Sequence, residues 1–161
     1  MYYNAFGLDT IGLRYFNVFE ARQKLDGLYV AVIPRFITNL LNGTKSKIYG
    51  DGTQSRDFTY IHNVIKANYL ASIADEKCAG KVYNVGCGES HSVNKIYMYL
   101  ANKINSSIKA CYVDERKGDV KDSLVDLSIV KNDLDYSPEY KIFEGLDLTI
   151  EWYREHFKKR G

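Results

Sequence analysis

The chain has 161 residues, enough for one ordinary domain, with 45% hydrophobic and 26% charged residues and a formal net charge of +2. That balance excludes a broad basic footprint for nucleic acid, so any anion site must be local, and no apolar run approaches the ~20 residues that cross a bilayer. Cys78, Cys87 and Cys111 form no Cys-x-x-Cys pair and are odd in number, which argues against a disulfide framework or a zinc site and predicts a reducing, cytoplasmic setting.

The first seven residues carry no basic region followed by an apolar stretch, so no secretory signal is read there. They have the character of the end of a helix, cut into by the start methionine and capped by Gly7. Thr10 to Phe19 is β-branched and aromatic without helical period and predicts a buried strand. From Val30 to Leu41 the apolar residues Ile33, Phe36, Ile37, Leu40 and Leu41 make a helical stripe, with Pro34 tolerable only in the first turn and Asn42-Gly43 as the stop. Extended pieces are predicted around Lys47–Tyr49 and Arg56–Tyr60, joined by the turn Gly50-Asp51-Gly52, and a helix over His62–Ala74 opened by His62 or Asn63. Lys81–Gly86 is a short strand. Ser92 then caps a helix carrying Val93, Ile96, Tyr97, Leu100, Ala101 and Ile104 on one face. An extended segment at Ile108–Val113, a polar loop at Asp114–Ser123, a short helix after Ser128 and an amphipathic helix holding Leu146, Ile150, Tyr153 and Phe157 complete the chain. Strands alternating with helices indicate an α/β fold.

Three segments carry recognisable chemistry. Asn17 closes an apolar run, the place where an open α/β sheet presents residues to a ligand, although an asparagine there also reads as a turn former. In Ile48 to His62 two glycines make a turn and Arg56 follows beside aromatic residues, so a guanidinium can meet phosphate while a ring packs on a base or sugar. Arg56 equally reads as an ion-pair partner of Asp51 or Asp57. In Asp114 to Ser123, Gly118 permits a tight turn that lets Arg116 and Asp119 address one ligand, cation to phosphate and carboxylate to hydroxyls. The alternative for that stretch is a charged surface loop.

In order and spacing these segments resemble the C-terminal half of the extended short-chain dehydrogenase/reductase family, the NAD-dependent nucleotide-sugar epimerases and dehydratases. Residues 11–23 resemble RYFNV-(F/Y)-GPRQ, 30–37 the AVIPRFI helix of UDP-sugar 4-epimerases, and 48–65 YGDG-x-Q-x-RDF-x-Y-(V/I)-x-DV. Residues 82–92 resemble YN-(V/I)-G-x-G-x-x-x-S and 116–126 R-x-GD-x-x-x-S-x-AD. The resemblance implies the last strands of a Rossmann-type parallel sheet plus the small substrate-binding subdomain, all 161 residues forming one C-terminal portion. It implies a UDP-sugar ligand, with Asn17 on the diphosphate-sugar, Arg56 and Arg116 on the diphosphate, and Asp119 on the ribose. Lys47, Ile48 and Tyr49 would hold the uracil, Ser123 would lie beside the sugar C2 substituent, and Tyr15 and Phe16 near the nicotinamide. A small residue at Ser123 goes with N-acetylated sugars. Two departures stand out: Glu20-Ala21 replaces the family's Gly-Pro, and Asn63 replaces an acidic residue before Val64.

The family's reaction oxidises the sugar C4 hydroxyl with NAD while a tyrosine, its pKa lowered by a lysine, takes the proton. The Gly-rich turn and the Tyr-x-x-x-Lys pair for that chemistry lie, by the resemblance, upstream of residue 1, so no catalytic residue is assigned and NAD is not expected to bind this chain alone. Two look-alikes occur. Tyr99 and Lys103 match Tyr-x-x-x-Lys, a helical spacing that needs no design. Gly86-Cys87-Gly88 follows a strand and precedes a helix, but His91 stands where the third glycine of a dinucleotide fingerprint belongs. Cys87 and His62 read as a buried thiol and a surface histidine. An open, apolar sheet edge left by the missing half predicts a homodimer or a partner chain.

Overall fold

The computed structural model describes residues 2–23 and 31–157. Helix α1 (Tyr2–Phe6) ends where Gly7 turns left-handed at φ 64° and donates its N–H to the Tyr3 carbonyl, the predicted C-cap. The predicted strand at 10–19 is divided into β1 (Gly12–Tyr15) and β2 (Val18–Phe19), because Asn17 takes φ 30° between them. The two pieces then pair with different partners. β1 runs parallel to β6 (Val82–Val85), whereas β2 runs parallel to β5 (Thr59–Tyr60). Between these lie α2 (Val32–Leu41), β3 (Lys47–Tyr49), β4 (Ser55–Asp57) and α3 (Ile61–Ser72). Val30, the predicted start of the second helix, lies outside the described residues.

Strand β7 (Ser90–Ser92) pairs antiparallel with β4, and β8 (Cys111–Val113) pairs parallel with β3. The helices α4 (Val93–Ile104), α5 (Ser128–Leu134) and α6 (Ile142–Phe157) complete the order. Ser92 caps α4 as its sequence predicts, its Oγ accepting from the Lys95 N–H. The cap expected of His62 or Asn63 is absent: α3 starts one residue earlier, after Tyr60, without a side-chain cap. Asn63 is buried and serves tertiary structure. Its Oδ1 accepts from the Glu139 and Tyr140 N–H groups and its Nδ2 donates to the Tyr140 carbonyl, two opposite roles that a carboxylate could not both fill.

The apolar residues gather in two clusters. One joins α2, α4 and α6 through Phe36, Ile37, Ile96, Leu100 and Leu146, with Phe19, Ile48 and Tyr60 from the strands. Burying each such side chain contributes ~1.5–3 kcal/mol. The other packs α3 and α5 on one face of the β1–β6 pair through Ala67, Tyr83, Val85, Val130 and Tyr136. The opposite face of that pair is bare at Val82, 53% exposed, and Tyr15 at the end of β1 is 47% exposed. The burial predicted for the 10–19 strand is thus realised on one side only. Parallel strands are ordinarily covered on both faces.

Candidate functional site

The chain around β2, β3 and β4 converges on a cavity of about 260 Å³. Asn17, Lys47, Ile48, Tyr49, Arg56, Arg116 and Asp119 line it together with Val32, Arg35, Phe36 and Gln54. Four segments aim these groups: the C-terminal end of the first strand system, the first turns of α2, the β3–turn–β4 unit and the polar loop after β8. A second opening of about 350 Å³ lies across Tyr49 and Arg116, lined by Gly50, Asp51, Thr53, Glu115 and Lys121 among others.

Arg56 is largely enclosed. Its guanidinium donates to the Ser55 carbonyl at 2.7 Å and the Lys121 carbonyl at 3.2 Å and pairs with Asp119 at 2.5 Å. Asp51 and Asp57, the partners its sequence neighbours offered, are engaged elsewhere. Asp51 accepts from Thr53 through backbone and hydroxyl, bonds that hold its carboxyl below the ordinary value of 3.8. Asp57 is buried and accepts from the Cys87, Gly88 and Val125 N–H groups. Burial nevertheless raises its pKa, the three amide bonds offsetting only part of the desolvation.

Arg116 lies flat over the Tyr49 ring with its guanidinium carbon 3.9 Å from the ring centroid. The Arg116 hydrogen bond and charge, then Lys47 and Arg35, lower the Tyr49 pKa, so three cations converge on one phenol. The cavity therefore holds four cations, Arg35, Lys47, Arg56 and Arg116, against the single carboxylate of Asp119. Among the described residues neither Arg35 nor Lys47 forms an ion pair. That surplus suits a ligand bearing two or more negative charges.

The polar loop is exposed from 114 to 122, as a charged surface loop would be, yet it is strapped onto β4. Ser55 N–H donates to the Lys121 carbonyl, Ser123 N–H donates to the Ser55 carbonyl, and the Ser55 hydroxyl donates to Asp122. Ser123 is held in this strap, its carbonyl accepting from the Ser90 hydroxyl, and lies outside both cavity linings. Asn17 donates to the Asp57 carbonyl at 2.9 Å, which fixes its side chain at the cavity rim. Tyr15 and Phe16 stand apart from this cavity: the Tyr15 hydroxyl donates to Asn68, and Tyr15 lines a separate groove with Ile11 and Leu13.

Arg35 and Gln54 were not singled out by the sequence reading. Arg35 follows Pro34 in the first turn of α2, three residues after Val32, and that spacing alone puts both on one helix face. Gln54 donates to the Tyr49 carbonyl and ties the two ends of the turn together. The Glu20 charge points elsewhere. Glu20 lines neither cavity, and its charge is felt at Tyr153, where burial first and Glu20 second raise the pKa, and at Tyr60, where burial and Tyr140 precede it.

Both look-alike motifs have structural partners. The Cys87 and Gly88 amides that a dinucleotide turn would offer to phosphate are taken by Asp57, and a Cβ at Gly86 would stand 2.5 Å from Val125. Tyr99 donates to Asp147 while Lys103 pairs with the same carboxylate, and burial raises the Tyr99 pKa where a proton acceptor needs it lowered. Cys87 is buried, its thiol donates to the Tyr140 carbonyl, and burial pushes its pKa up to about 11; His62 is exposed. No cluster suited to a metal ion occurs among the described residues, and no helix there is long and apolar enough to cross a membrane.

The model of the NAD dependent epimerase/dehydratase family matches residues 1–86. The chain belongs to that family. It is 36% identical over 159 residues to a UDP-glucuronate 4-epimerase of Thermodesulfobacterium geofontis, covering 98% of this chain and 47% of that one. It is 34% identical over 155 residues to a UDP-N-acetyl-alpha-D-glucosaminuronate decarboxylase of Bacillus cytotoxicus, covering 92% and 47%. Among solved structures, the UDP-N-acetylglucosamine 4-epimerase of Methanobrevibacter ruminantium in complex with UDP-N-acetylmuramic acid superposes with a TM-score of 0.88 at 41% identity, covering 96% of this chain and 49% of that one. The α/β architecture is thus that of the family's epimerases, and the chain spans about half the length of the relatives it matches.

Proposed function

We propose that these 161 residues are the substrate-binding C-terminal portion of an NAD-dependent UDP-sugar 4-epimerase acting on the UDP-GlcNAc/UDP-GalNAc or UDP-Glc/UDP-Gal pair. The observation that carries this reading is the meeting of Asn17, Lys47, Ile48, Tyr49, Arg56, Arg116 and Asp119, drawn from three distant segments, on one cavity with four cations. Arg56 and Arg116 take the diphosphate, with Arg35 completing the cationic wall. The Lys47–Tyr49 edge takes the uracil and Asp119 the ribose. For Asp119 to turn to a ribose it must share or release Arg56, and the arriving phosphates replace it as that guanidinium's partner. Asn17 faces the diphosphate-sugar, and Ser123, outside the cavity lining, is assigned to the far, C2-substituent end of the sugar.

In the complete enzyme NAD supplies hydride removal and return at the sugar C4, with Tyr15 and Phe16 assigned to its nicotinamide. The remaining half of the protein covers the bare face and edge of β1, in the same chain or from another polypeptide. Without it, a homodimer through that edge is the expected substitute. The relationship to a decarboxylase at 34% identity favours, as second reading, a nucleotide-sugar decarboxylase or dehydratase; sugar product analysis of the complete enzyme separates them. A non-catalytic UDP-sugar-binding module is the third. Calorimetry with UDP and NAD added separately tests the binding assignment: UDP binds and NAD does not. Tight NAD binding with epimerase turnover by this chain alone would sink the proposal.

A further inference from the structure

The turn Gly50–Thr53, which links the Tyr49 edge of the cavity to Gln54 and Arg56, is braced internally by Thr53 on Asp51 and by Gln54 on the Tyr49 carbonyl. Gly50 and Gly52 both have positive φ, 67° and 75°, and Asp51 is exposed. What fixes its place against the rest of the fold comes from the first turn of α4 and from β8, where the Val113 carbonyl accepts the Gly50 N–H. Asn94 donates its backbone N–H to the Gly52 carbonyl at 3.0 Å and its side-chain amide to the Asp51 carbonyl at 2.8 Å. Its Oδ1 accepts the Tyr112 hydroxyl at 2.9 Å. Neighbouring Val93 donates its N–H to the Gln54 carbonyl at 3.1 Å. The Asn94 amide also occupies the space a side chain at Gly52 would need, since a Cβ there would lie 2.1 Å from Oδ1. Two residues that line neither cavity therefore set where the turn sits, and with it the Tyr49 ring and the Gln54 amide that closes back on the Tyr49 carbonyl.

Of the two arginines assigned to the diphosphate, Arg116 rests on the Tyr49 ring, but Arg56 is anchored differently. Arg56 is fixed by Ser55, Lys121 and Asp119 on the β4 strap, none of which passes through the turn.

We infer that Asn94 and Tyr112 are positioning residues for the nucleoside end of the ligand site: Tyr112 orients the Asn94 amide, and the amide holds the Gly50–Thr53 turn so that Tyr49 and Gln54 meet a base. The inference rests on the UDP-sugar reading and adds to it an unequal division of labour: nucleoside affinity depends on α4 and β8, whereas phosphate affinity depends on them only through Arg116 and keeps Arg56 on the β4 strap.

The test is calorimetric titration of the wild-type chain, Asn94→Ala and Tyr112→Phe with UDP and, separately, with inorganic pyrophosphate, alongside a thermal melt. Asn94→Ala should weaken UDP roughly tenfold, the size of a lost ordering hydrogen bond or two, and weaken pyrophosphate clearly less, since Arg56 keeps its anchors. Tyr112→Phe removes one oxygen and keeps the ring; it should weaken UDP by about threefold with the melt unmoved. Unchanged UDP affinity in both variants, or equal losses for UDP and pyrophosphate, would overturn the inference while leaving the UDP-sugar reading intact. No UDP binding by the wild-type chain would overturn both.

Discussion

The α2–α4–α6 unit and the β1–β6 layer are built from similar residues, yet one is closed and the other is not. In the helical unit Phe36, Ile37, Ile96, Leu100 and Leu146 are all fully buried, and three helices enclose them. In the layer, Tyr83 and Val85 are equally buried by α3 and α5, while Val82 on the same strand faces outward. The lesson is that parallel strands of this composition are suited to cover on both faces, and among the described residues only one face of the β1–β6 pair receives it. The cavity lies beside the closed helical unit, sharing Phe36 and Ile48 with its core.

The largest test of the comparison is Asp57→Ala, because Asp57 joins the two regions, accepting amides from the end of β6 and from Val125 while its own strand borders the cavity. Three N–H groups, two of them buried, lose their acceptor, so a loss of about 3 kcal/mol is expected by urea denaturation, with fluorescence and circular dichroism moving together. Separate transitions by the two probes would mean the regions fold independently. Leu146→Ala on α6 should cost about 3 kcal/mol as a cavity in the closed core, and a cost under 1 kcal/mol would show that unit to be loosely packed. Arg116→Ala removes both the stack on Tyr49 and a phosphate contact; UDP affinity should fall at least about tenfold while urea stability stays put.

Acid should distinguish the regions further. Lys81 first, then Tyr83, holds the Asp133 carboxyl below its ordinary 3.8. A depressed folded-state pKa means this contribution is present above 3.8 and is lost as pH falls through the lower folded value. Asp57 has the opposite sign: with its pKa raised, protonation begins earlier in the folded chain, and stability gains from it as pH falls. The α5–β6 contact should therefore loosen first on acidification, seen as early loss of the Asp133 and Val130 amide resonances while those of α4 persist. The smallest effect is expected at Val82→Lys, within about 0.5 kcal/mol in this chain alone because the side chain is exposed. The same substitution should abolish docking of the complementary half, and tolerance there would mean the bare face has no partner.

Much of this was legible in the sequence where local chemistry decides. Gly7 and Ser92 cap helices by rules that operate within a few residues, and the Ile33–Leu40 stripe buries as its period requires. The strand at Ser90–Ser92 was not legible, because Ser-His-Ser has no hydrophobic alternation and exists as a strand only through pairing with β4. In the site, family resemblance selected residue types that do converge, but it could not reveal that Arg56 and Asp119, 63 positions apart, hold each other. Nor could it reveal that Asp57 spends its carboxylate on backbone amides, since partnerships of this kind are settled by long-range packing. Arg35 was missed because a cation in an amphipathic helix reads by default as solvated.

The left-handed Asn17 has a consequence for how the chain can vary. It hands the backbone from β6 to β5 within two residues, so both registers are counted from a single position. Adding or deleting one residue between Gly12 and Phe19 would invert every side chain on one side of that handover, exposing Phe19 or burying Arg14. Substitutions along this stretch leave the handover in place, but its length should be frozen across descendants of this gene.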